Sequence, residues 1–547
     1  VGILDEDPLG SGVHLVGLMT GMVLECIPYS RLPGATRLAG DFLYAFEKVA
    51  RFYVYDPWDA ASVLRRVEKM DYPRNRREAL VQVLRVQNPG SEALERLREP
   101  DTVVVITGQQ VGFLTGPVYT LYKALTAVKV AQELCDRGIR AVPVFWMATE
   151  DHDYDEVAEC WVFDHRGAAV RMHAGRTEGA GVRPCGELDV PEWPIEMLDS
   201  TLGQLPHGRK AVDLARKFYR PGQRLAGAFG GLLGELVGEG RLILFDPLRP
   251  EARELLGPIL MEAAERAREL VEAVRTRTGE VEALGYHAQV RVEPEPTLLF
   301  MLQAGRRVPI RMEGGGFQDC GKRFGKTELE RVARDLSPGA LLRPVVQDWA
   351  FPAAVSVVGP AELAYLAQAS AIYEVLGVGQ PVRRPRVSCT LLDRACAGVL
   401  ERFGLSLVEV YGPETALREA IGRRLRPVEL AAAVERAQAE AVSALDRIGA
   451  ALVGWRGAVE RNFEKSRSKI LYQMGKIERS IAREMVRRDR GADEGVRRLL
   501  GFAYPGRRLQ ERVYSALAFI ALWGMDFVAA VEQAVAWDCR DHQVVVL

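Results

Sequence analysis

The sequence carries almost no excess charge: 72 lysines and arginines stand against 73 aspartates and glutamates, a net of −1. Without a surplus of either sign, no bulk field draws the chain to a nucleic acid or a membrane surface, and neither is expected as a partner. No apolar run reaches the length of a membrane-spanning helix. Eight cysteines (Cys26, Cys135, Cys160, Cys185, Cys320, Cys389, Cys396, Cys539) are scattered without CxxC or CxH spacing. That pattern argues against a zinc site or a disulfide framework and suits a reducing cytoplasm. Cys160, Cys185 and Cys320 read most simply as buried thiols. The chain's most prominent glycine turn, Thr107-Gly108-Gln109-Gln110, is neither a P-loop nor a GxGxxG fingerprint.

What the chain does have is a pair of buried strands with polar loops at their ends. Val103–Ile106 is a continuous β-branched run, as in a parallel strand covered on both faces. Gly108 frees the backbone after it, and Gly116-Pro117 reads as a helix start, with proline where no amide donor is needed. From Val118 to Leu134 the apolar residues fall at helical spacing. Ala141–Ala148 is a second buried strand, ending in Glu150-Asp151-His152-Asp153. Parallel strands deliver their C-terminal ends to one edge of an open α/β sheet, where ligands bind. Both polar loops are therefore expected to face one crevice.

Other segments extend this core. Val1 opens the chain, and Met22 reads as the initiator, with 1–21 as an extension. The acidic Asp5, Glu6 and Asp7 are the wrong flank for a secretory signal. Residues 28–100 read as mostly helical. Residues 157–240 read as an inserted, partly β segment, Arg241–Phe245 as a sheet strand, and Pro250–Arg275 as one long helix. A second insertion, within about 280–335, is expected to hold antiparallel strands over 286–312. Leu341–Gln347 reads as a return to the sheet, carrying Arg343 and Gln347. Ala354–Val358 follows as a strand leading into Gly359-Pro360-Ala361-Glu362 and a helix to Leu376. Two helix N-termini at one crevice would favour a phosphate or carboxylate. Beyond Asp393, apolar positions spaced alternately by four and three predict helices over 427–448 and 458–488, an antiparallel coiled-coil hairpin. Its second arm carries eleven basic against five acidic residues between Trp455 and Arg490, either a solvated face or a contact for a second copy or a nucleotide phosphate. The expected organisation is thus a core over 22–392, a helical coiled coil over 393–500, and a segment over 501–547 that packs back on the body.

Chemistry concentrates in the two loops. Thr107–Gln110 offers backbone amides and two carboxamides beside a helix dipole, or is simply a connecting turn. Lys123 could serve a phosphate or carboxylate, or lie on the surface. The acidic loop places five carboxylates (Glu150, Asp151, Asp153, Asp155, Glu156) around His152. It could hold Mg²⁺ through Asp151 and Asp153 together with substrate phosphates, grip an ammonium group, or supply a general base; it could equally be an exposed acidic loop. Arg343 reads as an anion clamp or a core ion pair, and Tyr119 as packing or a ligand contact.

The stretches TGQQVGFLTGPVYTLYKA (107–124), PVFWMATEDHDYDEV (143–157), LLRPVVQDWAFP (341–352), VGPAELAYLAQ (358–368), PRVSCT (385–390) and LQERVY (509–514) together resemble the BshC family, the cysteine-adding enzymes of bacillithiol biosynthesis. The match runs from about Met22 to near the C-terminus, with modest departures at Trp349-Ala350-Phe351 and Ser356-Val357-Val358. The resemblance implies a Rossmann-like parallel-sheet core with two inserted connecting segments, a C-terminal α-helical antiparallel coiled coil, and a homodimer. It also implies an amide ligase that joins L-cysteine to the amine of glucosaminyl malate. A free carboxylate must be activated for that reaction, so ATP is expected as cosubstrate, through an acyl phosphate or acyl adenylate, with Mg²⁺ possible. The expected catalytic residues are Asp151, His152, Asp153 and Lys123. Substrate or nucleotide is assigned to Gly108, Gln109, Gln110, Gly116, Pro117, Tyr119, Glu150, Arg343, Gln347, Gly359 and Glu362. The competing readings are a nucleotidyl or acyl transferase acting on another amine, and a non-catalytic coiled-coil scaffold that binds a metabolite.

Overall fold

A computed structural model describes residues 21–292, 296–313, 316–319, 322–455 and 457–547. The expected N-terminal extension, apart from Gly21, and Cys320 lie outside these described residues.

Five strands form a wholly parallel sheet in the order Val382–Pro385, Ala353–Val358, Val103–Gln109, Ala141–Met147, Ile243–Phe245. The central strands are sealed on both faces: Val104, Val105, Ile106, Val142, Val144, Phe145 and Trp146 are fully buried, which accounts for their unbroken apolar sequence. Chain order reverses about Val103–Gln109, whose sequence successor lies on one side and Ala353–Val358 on the other. Such a reversal leaves a crevice above the C-terminal strand ends. The helices Tyr119–Asp136 and Pro360–Leu376 both begin at that edge.

The first insertion holds a hairpin, Glu159–Phe163 with Ala169–His173. It also holds three helices that spacing did not reveal: Ile195–Leu202, Gly208–Phe218 and Leu225–Val237. The last of these (LAGAFGGLLGELV) is rich in glycine, which lowers helix propensity; burial of Leu225, Phe229, Leu232, Leu233 and Leu236 outweighs that cost. Pro250–Arg275 is not one helix but two, Pro250–Glu265 and Ala267–Ala283, broken at Arg266.

The second insertion is a five-stranded antiparallel sheet. Pro296–Gln303 and Arg306–Glu313 lie at its heart, and Leu336–Pro338 forms the edge nearest the core. His287–Val292 is not one of its strands. The Val290 N–H and C=O are instead satisfied by the Gln368 side chain, at 3.0 and 2.7 Å. Leu341–Gln347 is also corrected: it is no strand but the start of a helix, Arg343–Ala350, with Pro344 in the first turn.

The helices Val428–Ala451 and Ala458–Arg488 run antiparallel, with Arg467 on Asp446 at 2.9 Å and Gln438 on Glu478 at 3.3 Å. Ile470 and Ile477, two of the apolar positions whose spacing predicts the second arm, are 44% and 61% exposed. The buried side of the second arm is Ala482 and Val486, and Ala482 meets Gly422 of the helix Glu414–Arg424. His542–Val546 sits between Met22–Ile27, antiparallel, and Cys389–Leu392, parallel. A buried ion pair reinforces this union: Arg386 donates to both Glu511 oxygens, at 3.0 and 2.7 Å, and the Cys389 N–H donates to the same carboxylate at 3.0 Å.

Candidate active site

At the reversal of the sheet lies a cavity of about 340 Å³, lined by Gly108, Gln109, Gln110, Glu150, Asp151, Phe300, Arg307, Arg343, Glu362 and Tyr365, among others. The glutamine turn and the acidic turn therefore meet. Gly108 is needed where the first strand passes the second, since a Cβ there would lie 2.8 Å from the Trp146 carbonyl oxygen. Gln110 ties the two turns together, its Nε2 donating to Asp151 and Glu156, each at 2.8 Å.

Beneath the turn, Lys123 is buried and fully engaged. Its Nζ donates to the Gly108 carbonyl at 2.8 Å, Gln109 Oε1 at 3.0 Å and Glu362 Oε1 at 2.8 Å. Burial pulls the Lys123 pKa down, against the attraction of Glu362. Burial also opposes the Glu362 carboxylate, but Lys123, the Gly359 N–H and Arg343 outweigh it and hold that carboxyl below its usual range. Lys123 sits under the cavity as a brace for Gly108 and Gln109. Gly359 caps the Pro360–Leu376 helix, its N–H donating to Glu362 Oε2 at 2.6 Å. Arg343 donates to Tyr365 at 3.1 Å and Gln347 at 3.3 Å. Gln347 itself is buried and turned toward Asp348 at 3.0 Å, so it holds Arg343 from behind rather than entering the cavity.

Opposite these groups stand two adjacent carboxyls with divergent environments. Burial raises the Glu150 pKa, although Arg253 and Arg307 oppose it. Asp151 is also penalised by burial, but Gln110, the Asp153 N–H and Arg307 together hold it below the ordinary value. Neighbouring acids pushed apart in this way suit one to receive a proton and the other to remain an anion. His152 stands at the rim, with Nδ1 3.2 Å from an Arg307 nitrogen. Asp153 turns away: its carboxylate caps the helix Tyr154–Val157, accepting from the Glu156 N–H at 3.2 Å. Cys160 and Cys185 are buried thiols, and burial beside Asp151 and Asp153 pushes Cys185 up to about 12.

Sequence reasoning missed Arg307, Phe300, Arg253 and Tyr365. Arg307 comes from the second insertion, stacks over Phe300 with its guanidinium carbon 4.0 Å from the ring centre, and donates to the Pro338 carbonyl at 2.8 Å. Only Tyr365 had a usable signal, lying one turn after Glu362 on the same helix face. Gly116, Pro117 and Tyr119 do not line this cavity. They line a second one of about 290 Å³, which shares Gln109 and Gln110 as its wall with the first. Among the described residues, no group of three or more His, Cys, Asp or Glu side chains is arranged to hold a metal ion. The Asp153 carboxylate caps its helix, and that of Asp151 accepts from Gln110 and lies 3.8 Å from Arg307. No single helix among the described residues is long and apolar enough to cross a membrane.

The comparisons agree with this architecture. Residues 22–387 match the family described as "Bacillithiol biosynthesis BshC, N-terminal Rossmann-like domain", and residues 389–547 match "Bacillithiol biosynthesis BshC, C-terminal coiled-coil domain". A protein of Solibacter usitatus named "Putative cysteine ligase BshC" is 40% identical over 526 residues, covering 96% of this chain and 100% of the relative. Relatives with the same name from Koribacter versatilis and Salinibacter ruber are 34% and 29% identical, covering 96% and 92% of this chain and 100% and 95% of their own lengths. Two domain matches that together span the chain beyond Met22, and full-length relatives at this identity, place the chain in the BshC family of bacillithiol biosynthesis.

Proposed function

We propose that the chain is a cytoplasmic ligase that joins the carboxyl group of L-cysteine to the amine of glucosaminyl malate, with ATP as the source of activation. One observation carries the reading: a single cavity is lined by two arginines, Arg307 and Arg343, and by two carboxyls, Glu150 and Asp151, with Arg307 beside Asp151 at 3.8 Å. Cations of this kind suit a carboxylate or phosphate that gains negative charge during acyl transfer. The two arginines would hold the cysteine carboxylate and the phosphate that activates it. Asp151, the more acidic carboxyl, keeps its charge and orients the amine. Glu150, with its raised pKa, takes the proton that the amine loses as the amide forms. Lys123 acts through the turn that it braces, and His152 through its contact with Arg307.

A homodimer is part of the proposal, supported by the exposed Ile470, Tyr472 and Ile477 on one helix of the hairpin. The test of the function is a mass-spectrometric assay of purified protein with L-cysteine and glucosaminyl malate, with and without ATP. The ligase reading expects the cysteinyl amide only when ATP is present. Turnover with another amine alone would support the transferase alternative, and binding with no product would support the scaffold.

A further inference from the structure

The second cavity has a makeup of its own. Pro117, Tyr119 and Thr120 at the start of the helix Tyr119–Asp136 line it, as do Arg508 and Arg512 of the C-terminal segment; the Val118 and Thr120 N–H groups are already bonded, to the Tyr514 and Pro117 carbonyls. A helix end alone would mean little. Thr120, however, is 1% exposed, lines the cavity, and its hydroxyl has no hydrogen-bond partner among the described residues. A buried hydroxyl without a partner carries a desolvation cost that a bound acceptor would relieve. Among the described residues neither Arg508 nor Arg512 forms an ion pair.

Three acids also face the cavity. Glu156 is engaged by Gln110, Glu159 by Arg171, and Asp155 is exposed. A polyphosphate would bring several negative charges against this wall. The two carboxylates of a malate arm bring two, fewer than a triphosphate, and can keep to the side of Thr120, Arg508 and Arg512.

We propose that this cavity is an anion subsite for the carboxylate-bearing arm of the amine acceptor, held by the Thr120 hydroxyl, Arg508 and Arg512. The proposal rests on the acceptor reading above. The acceptor would span both cavities, with its amine beside Glu150 and Asp151, its sugar hydroxyls along Gln109 and Gln110, and its acidic arm beyond them. The shared chemistry is anion binding, and the experiment separates its two sources.

L-malate serves as the carboxylate probe and inorganic phosphate as the phosphate probe, each titrated calorimetrically into wild type, R508Q/R512Q and T120V. Steady-state KM values for acceptor, L-cysteine and ATP are measured on the same proteins. Both arginines are exposed and Thr120 makes no bond to lose, so unchanged denaturation midpoints are expected to show intact folds. R508Q/R512Q is expected to weaken L-malate about tenfold or more, as loss of charge-assisted bonds does, with T120V showing a smaller loss. The acceptor KM should rise in parallel while those for cysteine and ATP stay fixed. Loss of phosphate binding and a raised KM for ATP, with L-malate unaffected, would overturn the proposal, as would KM values unchanged throughout. L-malate binding that is lost in the variants, from a wild type that makes no amide, would support the subsite and overturn the ligase reading.

Discussion

The brace under the glutamine turn gives the sharpest quantitative test. Lys123 is 3% exposed, touches three acceptors and faces the Glu362 carboxylate at 2.8 Å. K123M keeps the side chain's length up to the position of the terminal nitrogen and removes its charge. The Gly108 carbonyl and Gln109 Oε1 lose their donor, and Glu362 is left with only Arg343, Tyr365 and the Gly359 N–H. Breaking one side of a buried ion pair costs about 3–5 kcal/mol, chiefly because the surviving charge remains desolvated. Removing that charge as well should restore most of the loss, so K123M/E362Q is expected to be more stable than K123M by about 2 kcal/mol or more. Urea denaturation followed by intrinsic fluorescence measures both differences. Activity separates a brace from a catalytic lysine. If Lys123 acts by positioning Gln109, K123M and K123M/E362Q should both lose activity chiefly through KM, because both free the turn. A K123M protein within about 1 kcal/mol of wild type, or a pure kcat loss with normal stability, would refute the argument.

Three further outcomes follow from the same geometry. R307K keeps the charge but loses the planar fork that reaches Pro338 O and lies beside His152 and Asp151; kcat/KM is expected to fall about 10²-fold, and a change within about threefold would remove Arg307 from the site. Glu150, raised by burial, should set the acid limb of the pH–kcat/KM profile above the ordinary carboxylate range, so E150Q should abolish that limb along with most of the rate, whereas an unshifted limb would assign it to another group. His542 is buried, and desolvation lowers its pKa from 6.5 to about 4. Its unfolded form binds the proton more readily, so stability is complete above the usual histidine value and falls as pH drops through that window, by up to about 3 kcal/mol. Denaturation midpoints at about pH 7.5 and about pH 4.5 should therefore converge in H542Q relative to wild type, and an equal loss in both proteins would exclude the histidine.

How far the sequence carried the reading depended on whether the deciding contacts were local. The Val103–Ile106 and Ala141–Met147 runs have an apolar continuity that only a doubly covered strand explains, and parallel strands deliver both following loops to one edge; the meeting of Gln110 with Asp151 followed from that. Leu341–Gln347 failed because a short apolar run fits a strand or a buried helix equally, and Pro344 was the unused signal. Arg307 was beyond reach: it lies near the start of the strand Arg306–Glu313 in an antiparallel insertion, and nothing in chain order says where that sheet docks. The stretches PRVSCT and LQERVY could have been taken for chemistry. Their Arg386 and Glu511 instead form a buried clamp between the core and the C-terminal segment.

That clamp bears on how the site is held in shape. Leu114 and Thr115, at φ 50° and 67°, precede Gly116 at 64°, so two residues with side chains occupy the left-handed region at about 1–3 kcal/mol each. The turn bends this way so that the helix Tyr119–Asp136 can start at the crevice directly behind Gln109 and Gln110. Four hydrogen bonds secure it. The Tyr219 hydroxyl accepts from the Thr115 N–H and donates to the Gly112 carbonyl, both at 3.0 Å; Ser515 Oγ donates to the Leu114 carbonyl at 2.8 Å; and the Val118 N–H donates to the Tyr514 carbonyl at 2.7 Å. At about 1 kcal/mol apiece they offset strain of the same size. Two of the four come from the first insertion's tyrosine and two from the C-terminal segment. The turn therefore keeps its shape only while three parts of the chain distant in sequence are docked together. The glutamine wall between the two cavities is a property of the assembled molecule, and loosening the Arg386–Glu511 clamp should disturb ligand binding at Gln109 and Gln110 before it unfolds the parallel sheet.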